Sequence, residues 1–111
     1  MSTTVEALSF ALDALQAQSA AIANNVANVD TPGYIQENVS FASSLAAALQ
    51  HGGTASVSVA PSTNPVGLDG NNVSLAQQLT EATTNAMDYQ AVANQLTTYF
   101  QILSGSMGGQ F

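Results

Sequence analysis

Apolar positions fall into two seams, one toward each end of the chain. The longer seam reads Leu75, Leu79, Ala82, Ala86, Tyr89, Ala93, Leu96, Phe100, Leu103 and Met107, at spacings that alternate four and three. Neither Pro nor Gly interrupts it before Gly105. A repeat sustained over this length predicts a helix over 74–107, packed lengthwise against other helices as in a coiled coil. At 1.5 Å rise per residue it is about 50 Å long, more than the core of a small globule can cover. The second seam reads Val5, Leu8, Leu12, Leu15, Ser19, Ile22, Val26 and Val29, with Ser19 its one polar member. It predicts a helix over about residues 4–28, opened by a capping box of Thr3 and Glu6. That helix must end before Pro32, because a proline disfavours helical geometry in the residue before it.

Between the seams the pattern shortens. Thr31-Pro32-Gly33-Tyr34 reads as a type II turn, with Pro setting the first central position and Gly supplying positive φ at the second. Phe41, Leu45 and Leu49, four apart, predict a middle helix over about 39–50, stopped by His51-Gly52-Gly53. Val57 and Val59 alternate with small polar residues, which allows a short strand within 54–60. The Ser-, Asn-, Gly- and Pro-rich stretch 61–72 is a loop. Ser74 with Gln77 forms a second capping box, and the glycines after Ser104 predict a frayed tail. The expectation is an all-α fold: a single domain of paired long N- and C-terminal helices, forming a coiled-coil-like hairpin. A short middle helix and an irregular loop lie between them. Two helices offer too thin a second layer to cover both seams, so the isolated chain is expected to be partly disordered at its ends and completed by assembly.

Composition narrows the possible partners. Only 6% of the 111 residues are charged, against about a quarter in ordinary soluble domains. Lys and Arg are absent, and seven carboxylates give a formal net charge of −7. A chain with no such cation cannot neutralise phosphates, which argues against nucleic acid and against electrostatic attachment to an anionic membrane. No apolar run approaches the ~18 residues of a membrane-spanning helix, so direct membrane insertion is not expected. Nor does the N-terminus resemble a cleavable signal peptide. Cysteine is absent, which suits a chain that crosses an oxidising compartment unfolded. The helix surfaces are mostly Ala, Gln, Asn, Thr and Ser, a composition that fits better against other protein than against water.

Reactive chemistry finds no foothold. His51, the one histidine, stands before two glycines with no partner nearby for general-base or metal-ligand work. Glu6, Asp13, Asp30, Glu37, Asp69, Glu81 and Asp88 are dispersed along the sequence. Asp69-Gly70-Asn71-Asn72 lacks the spacing and the closing Glu of a calcium loop, and reads as a turn leading into a helix. No catalytic, cofactor-binding or metal site is expected, and no small-molecule substrate. Asn24, Asn25 and Asn28 crowd the end of the first helix. On residue chemistry alone, capping that end is their simplest role.

The run Ala23-Asn-Asn-Val-Ala-Asn-Val-Asp-Thr-Pro-Gly-Tyr34 closely resembles the N-terminal signature of bacterial flagellar axial proteins. Asp69-Gly-Asn-Asn-Val73, leading into the C-terminal helix, is similar to the corresponding stretch of the basal-body rod proteins, as is Tyr89-Gln-Ala91. The short chain agrees, because hook and distal-rod subunits carry large extra domains. On this resemblance the family signature comprises Asn24, Asn25, Asn28, Asp30, Thr31, Pro32, Gly33, Tyr34, Asp69, Gly70, Asn71 and Asn72. It implies an extracytoplasmic structural subunit, exported by the flagellar type III apparatus, whose terminal helices pack into a tubular, torque-transmitting rod. The implied partners are further copies of the chain, neighbouring rod proteins, the membrane-ring adaptor and the export gate. The subunit-packing seam is then Val5, Leu8, Leu12, Leu15, Ile22, Val26, Val29, Leu75, Leu79, Tyr89, Leu96, Phe100 and Leu103. The chain departs from the family pattern at Ile35 and Asp88, near which relatives usually carry basic residues, so any ionic contact made there is not implied. A different class, small secreted helical-hairpin proteins that bind partners, usually carries Trp-x-Gly at its turn. This chain has no Trp.

Overall fold

The computed structural model describes residues 3–108. The elements run α1 (Thr3–Ala27), β1 (Glu37–Ser40), α2 (Ala42–His51), β2 (Ser58–Pro61) and α3 (Leu75–Gly108). The long helices α1 and α3 pack antiparallel, as three bridges between them show. Asn25 meets Gln78, Gln16 meets Tyr89, and Asn85 meets the Leu15 carbonyl. The molecule measures 65 × 27 × 14 Å, with a radius of gyration of 17.8 Å. A compact domain of this length would have about 13 Å. The core is therefore a seam along a rod-like hairpin.

The inward line of α1 is made of small residues and amides. Ala11, Ala14, Ala21 and Asn25 are buried, Gln18 is half-buried, and buried Leu15 and Ile22 flank the line. It runs one residue ahead of the aliphatic seam, which lets the helix backbones approach closely. On α3 the inward column is Gln78, Asn85, Val92 and Tyr99, seven apart; the first two are buried and the others half-buried. A strict seven-residue column is what a left-handed helix pair requires.

At the end of α1, Asn28 donates its side-chain amide to the Asn24 carbonyl at 2.8 Å and accepts the Thr31 hydroxyl at 3.0 Å. The Tyr34 amide then closes on the Thr31 carbonyl at 3.2 Å, with Gly33 at φ 77°. This is a type II turn. At the other end Thr3 is itself helical, so the cap of α1 lies outside the described residues.

Val39 and Ser40, which fall at the start of the helical spacing 39–50, are extended in β1. This strand pairs antiparallel with β2, with Val39 opposite Val59 and Glu37 opposite Pro61. Backbone pairing with a segment twenty residues away outweighs the weak propensity of one helical turn. The middle helix consequently starts at Ala42. It ends at His51, with Gly52 at φ 77° as its C-cap. Phe41, just ahead of α2, meets Phe10 of α1 edge-on, ring centroids 6.2 Å apart. The tail is also more regular than its glycines suggest. Helix α3 continues through Ser104 and Gly105 to Gly108, and Gly105 does not take the positive φ that would end it. No described helix is long and apolar enough to cross a membrane.

Candidate functional site

The two separated stretches, 24–34 and 69–72, meet in space. The Gly33 amide donates to the Asp69 carbonyl at 2.8 Å, and the Asn72 amide to the Tyr34 carbonyl at 3.2 Å. Asn71 spans the turn from outside: its side-chain amide donates to the carbonyls of Asn28, at 2.9 Å, and Thr31, at 2.8 Å. Its own loop holds it in place, because its backbone amide meets the Asp69 carboxylate and its side-chain oxygen accepts from Val73. Gly70, at φ +80°, lies so close to the turn that a Cβ there would come within 3.3 Å of the Gly33 Cα. Asn24, Asp30, Thr31, Pro32 and Asp69 stay exposed, so this clasp presents a polar rim with two carboxylates.

Beneath the clasp is a core of carboxamides. All five buried polar side chains among the described residues are amides: Asn25, Gln36, Asn72, Gln78 and Asn85. Asn25 pairs with the Glu37 peptide from both sides and also donates to Gln78 Oε1 at 2.9 Å. Gln36, fully buried, binds three segments at once. Its amide nitrogen donates to Asn38 and Gln77, its side-chain oxygen accepts the Ser74 backbone amide, and its own backbone amide donates to Asn72 Oδ1 at 2.7 Å. Asn72 in turn donates to the carbonyls of Ser62 and Asn64. A carboxamide presents donor and acceptor side by side, as a peptide does, so it can replace a missing strand partner without burying charge.

The capping box at α3 is consequently divided. Ser74 Oγ accepts the Gln77 amide at 3.2 Å, whereas the Ser74 amide is satisfied by Gln36 from across the fold. Gln77 instead serves as an acceptor for Gln36 and Asn64. Among the described residues one buried side-chain atom is left over: Gln78 Nε2 has no hydrogen-bond partner.

The seam residues separate by exposure. Val5, Leu15 and Ile22 are buried within the hairpin, and Leu8, Leu12, Val29, Tyr89 and Leu96 are half-buried. Val26, Leu75, Leu79, Phe100 and Leu103 are exposed. Spacing alone did not single out Gln36, Gln78 or Asn85 as organising residues, and it gave Gln77 only a capping role. The available signal was the seven-residue interval between Gln78 and Asn85, two amides on one face of a seam helix.

These features define a helical-hairpin subunit in which an amide clasp holds the start of one long helix against the end of the other. Among the described residues no three His, Cys, Asp or Glu side chains gather as a metal site. Residues 6–34 match the family model described as flagella basal body rod protein, so this segment is similar to that family. The family is a structural component of the flagellar rod. The match covers α1 from Glu6 through the turn at Tyr34; the clasp partner at 69–72 and α3 lie beyond it. Comparison with curated proteins gives no match.

Proposed function

We propose that this chain is a proximal-rod subunit of the FlgB type. It would be exported unfolded by the flagellar type III apparatus and packed by its terminal helices into a tubular assembly that transmits torque. The observation that carries this reading is the clasp: the segment that matches the family closes directly on Asp69–Asn72. Asp69-Gly-Asn-Asn-Val73 is also the stretch whose likeness favours the FlgB type over the FlgC type. Exposed seam residues at Val26, Leu75, Leu79, Phe100 and Leu103 supply the apolar surface that neighbouring subunits would cover. Copies of the chain, adjacent rod proteins, the membrane-ring adaptor and the export gate are the proposed neighbours, in the extracytoplasmic part of the basal body. Absence of cysteine fits passage through a narrow channel followed by folding on arrival.

Density for this chain in intact basal bodies, between the membrane ring and the next rod protein, is the expected result. Cells that lack the chain should be non-motile, with basal bodies that stop before the rod. Normal rods in such cells would overturn the reading. A stable, fully helical dimer in dilute solution that never enters basal bodies would favour a partner-binding hairpin instead.

A further inference from the structure

Charge is one-sided on the α1–α3 pair. Glu81 and Asp88, seven residues apart, share a face of α3, as Glu6 and Asp13 share a face of α1. Asp88 lines a cleft with β1 and the start of α2, and Glu6 lines another with Leu45 and Leu49 of α2. Both pairs therefore lie toward the side that β1 and α2 cover. The opposite side of the helix pair, along Ile22, Ala86 and Tyr89, has a groove that no carboxylate lines.

The Asp88 cleft holds about 490 Å³ and is walled on one side by buried Leu15 with half-buried Val39 and Phe41. Phe10 braces the Phe41 ring edge-on, and Gln18, also in the wall, spends its oxygen on Asn85. Asp88 itself is exposed, and its carboxylate has no partner among the described residues. The chain holds neither Lys nor Arg, so no copy can bring one to it.

Resting on the assembly role above, we infer that this cleft takes an arginine side chain from a basic neighbour that is not a copy of this chain. The aliphatic stem would lie on Leu15, Val39 and Phe41 while the guanidinium meets Asp88. Arginine suits the cleft better than lysine, because its planar fork pairs both oxygens of a carboxylate and stacks on an aromatic ring. The start of α2 is the competing feature. Its N-cap, Phe41, makes no side-chain capping bond, and a helix start carries about half a positive charge. Asp88 sets a whole negative charge in the same cleft, so the balance favours a cation. Glu6, Asp13 and Glu81 on that side steer the same kind of partner toward it. A second copy, at −7, is repelled.

An acetyl-Ala-Ala-Arg-Ala-Ala-amide peptide, titrated into the isotope-labelled full-length chain, tests the cleft directly. Saturable shifts of the Val39, Phe41 and Asp88 amides are expected. Citrulline, equal in shape but uncharged, should bind about fivefold more weakly in place of the arginine. Asp88→Asn should weaken binding by a similar factor. Glu6→Gln removes the same charge nine residues from Leu15 (15 − 6), about 13 Å along α1, and should change binding by less than about twofold. Ser43→Arg fills the cleft from within and should abolish the shifts. Equal binding of the citrulline peptide, equal effects of Asp88→Asn and Glu6→Gln, or the same shifts from a glutamate peptide or from raised chain concentration alone would overturn the inference. Basal bodies that take up the Asp88→Arg and Ser43→Arg chains as readily as the parent overturn this contact and leave the rod role standing. Arginine binding by a chain that never enters basal bodies supports the cleft and overturns the rod role.

Discussion

Asn25 holds the Glu37 peptide as a neighbouring strand would: its side-chain amide donates to the Glu37 carbonyl at 2.8 Å while its oxygen accepts the Glu37 amide at 2.9 Å. The last turns of α1 are thereby joined to the first residue of β1, with the Tyr34 hydroxyl completing the oxygen's contacts at 3.4 Å. Asn24 and Asn28 are nearby in sequence but do different work, since only Asn25 turns inward.

Replacing Asn25 separates these roles. Asn25→Ala strands the Glu37 peptide groups and the Gln78 oxygen, at a cost of about 1–3 kcal/mol. Asn25→Asp keeps the shape but sets a carboxylate oxygen against two acceptors in a buried site, and should cost more, about 3–5 kcal/mol. Asn24→Asp, on an exposed side chain, should change stability by less than about 0.5 kcal/mol. Urea midpoints followed by helicity at 222 nm give the order. Equal losses for Asn24→Asp and Asn25→Asp would refute the inward role of Asn25.

Two glycines test the clasp against simple backbone strain. Gly70 and Gly52 share positive φ, at 80° and 77°, so alanine at either carries about 1–2 kcal/mol of conformational cost. Only at Gly70 would the new Cβ also press on Gly33, at 3.3 Å from its Cα; at Gly52 nothing lies within 4 Å. Gly70→Ala should therefore be the more damaging by about 1 kcal/mol or more. It should also raise amide exchange at Gly33 and Asn72, whose bonds cross the clasp. Matching losses and unchanged exchange would mean that the two segments do not depend on close approach.

The heptad spacing made two long helices legible, and Pro32-Gly33 made the turn between α1 and β1 legible. Which line of each helix faces inward was not. Leu12, Val26 and Leu79 outrank Ala11, Asn25 and Gln78 on any scale of side-chain apolarity, yet the smaller or more polar member of each pair is buried deeper. Close helix approach rewards alanine, and an amide is tolerated inside only because a partner from another segment reaches it. Those partners lie 12 to 70 residues away, beyond local pattern. The pairing of Glu37–Ser40 with Ser58–Pro61 escaped for the same reason: each strand is four residues long and gains its bonds only from the other. Ser74 was readable as a cap, but nothing in Ser-x-x-Gln tells that Gln36 would take over half of it.

That takeover is itself testable. Gln36→Ala removes the acceptor for the Ser74 amide, takes the Gln36 donor from Asn38, and leaves Gln77 with Asn64 alone. The start of α3 should then loosen by about 1–3 kcal/mol. Ser74→Ala removes only the cap on the Gln77 amide, at about 1 kcal/mol. Hydrogen exchange should show Ser74 and Gln77 losing protection in the first variant and chiefly Gln77 in the second. If Gln36→Ala leaves the Ser74 amide protected, Gln36 does not cap α3.

Gln78 is the member of the amide core that gives least to the fold. Its oxygen accepts from Asn25, but its amide nitrogen is buried without a partner, and an unmatched buried donor costs about 1–3 kcal/mol. Methionine has nearly the same length and no donor, so Gln78→Met trades one hydrogen bond for relief of that penalty. The two effects are of similar size, and the variant should stay within about 1 kcal/mol of the parent, in contrast to Asn25→Ala. A loss of several kcal/mol in the isolated chain would mean that the Gln78 nitrogen does find a partner within it. A partner supplied instead by an adjacent subunit would show as a deficit that appears only when the same variant is measured inside the assembled rod.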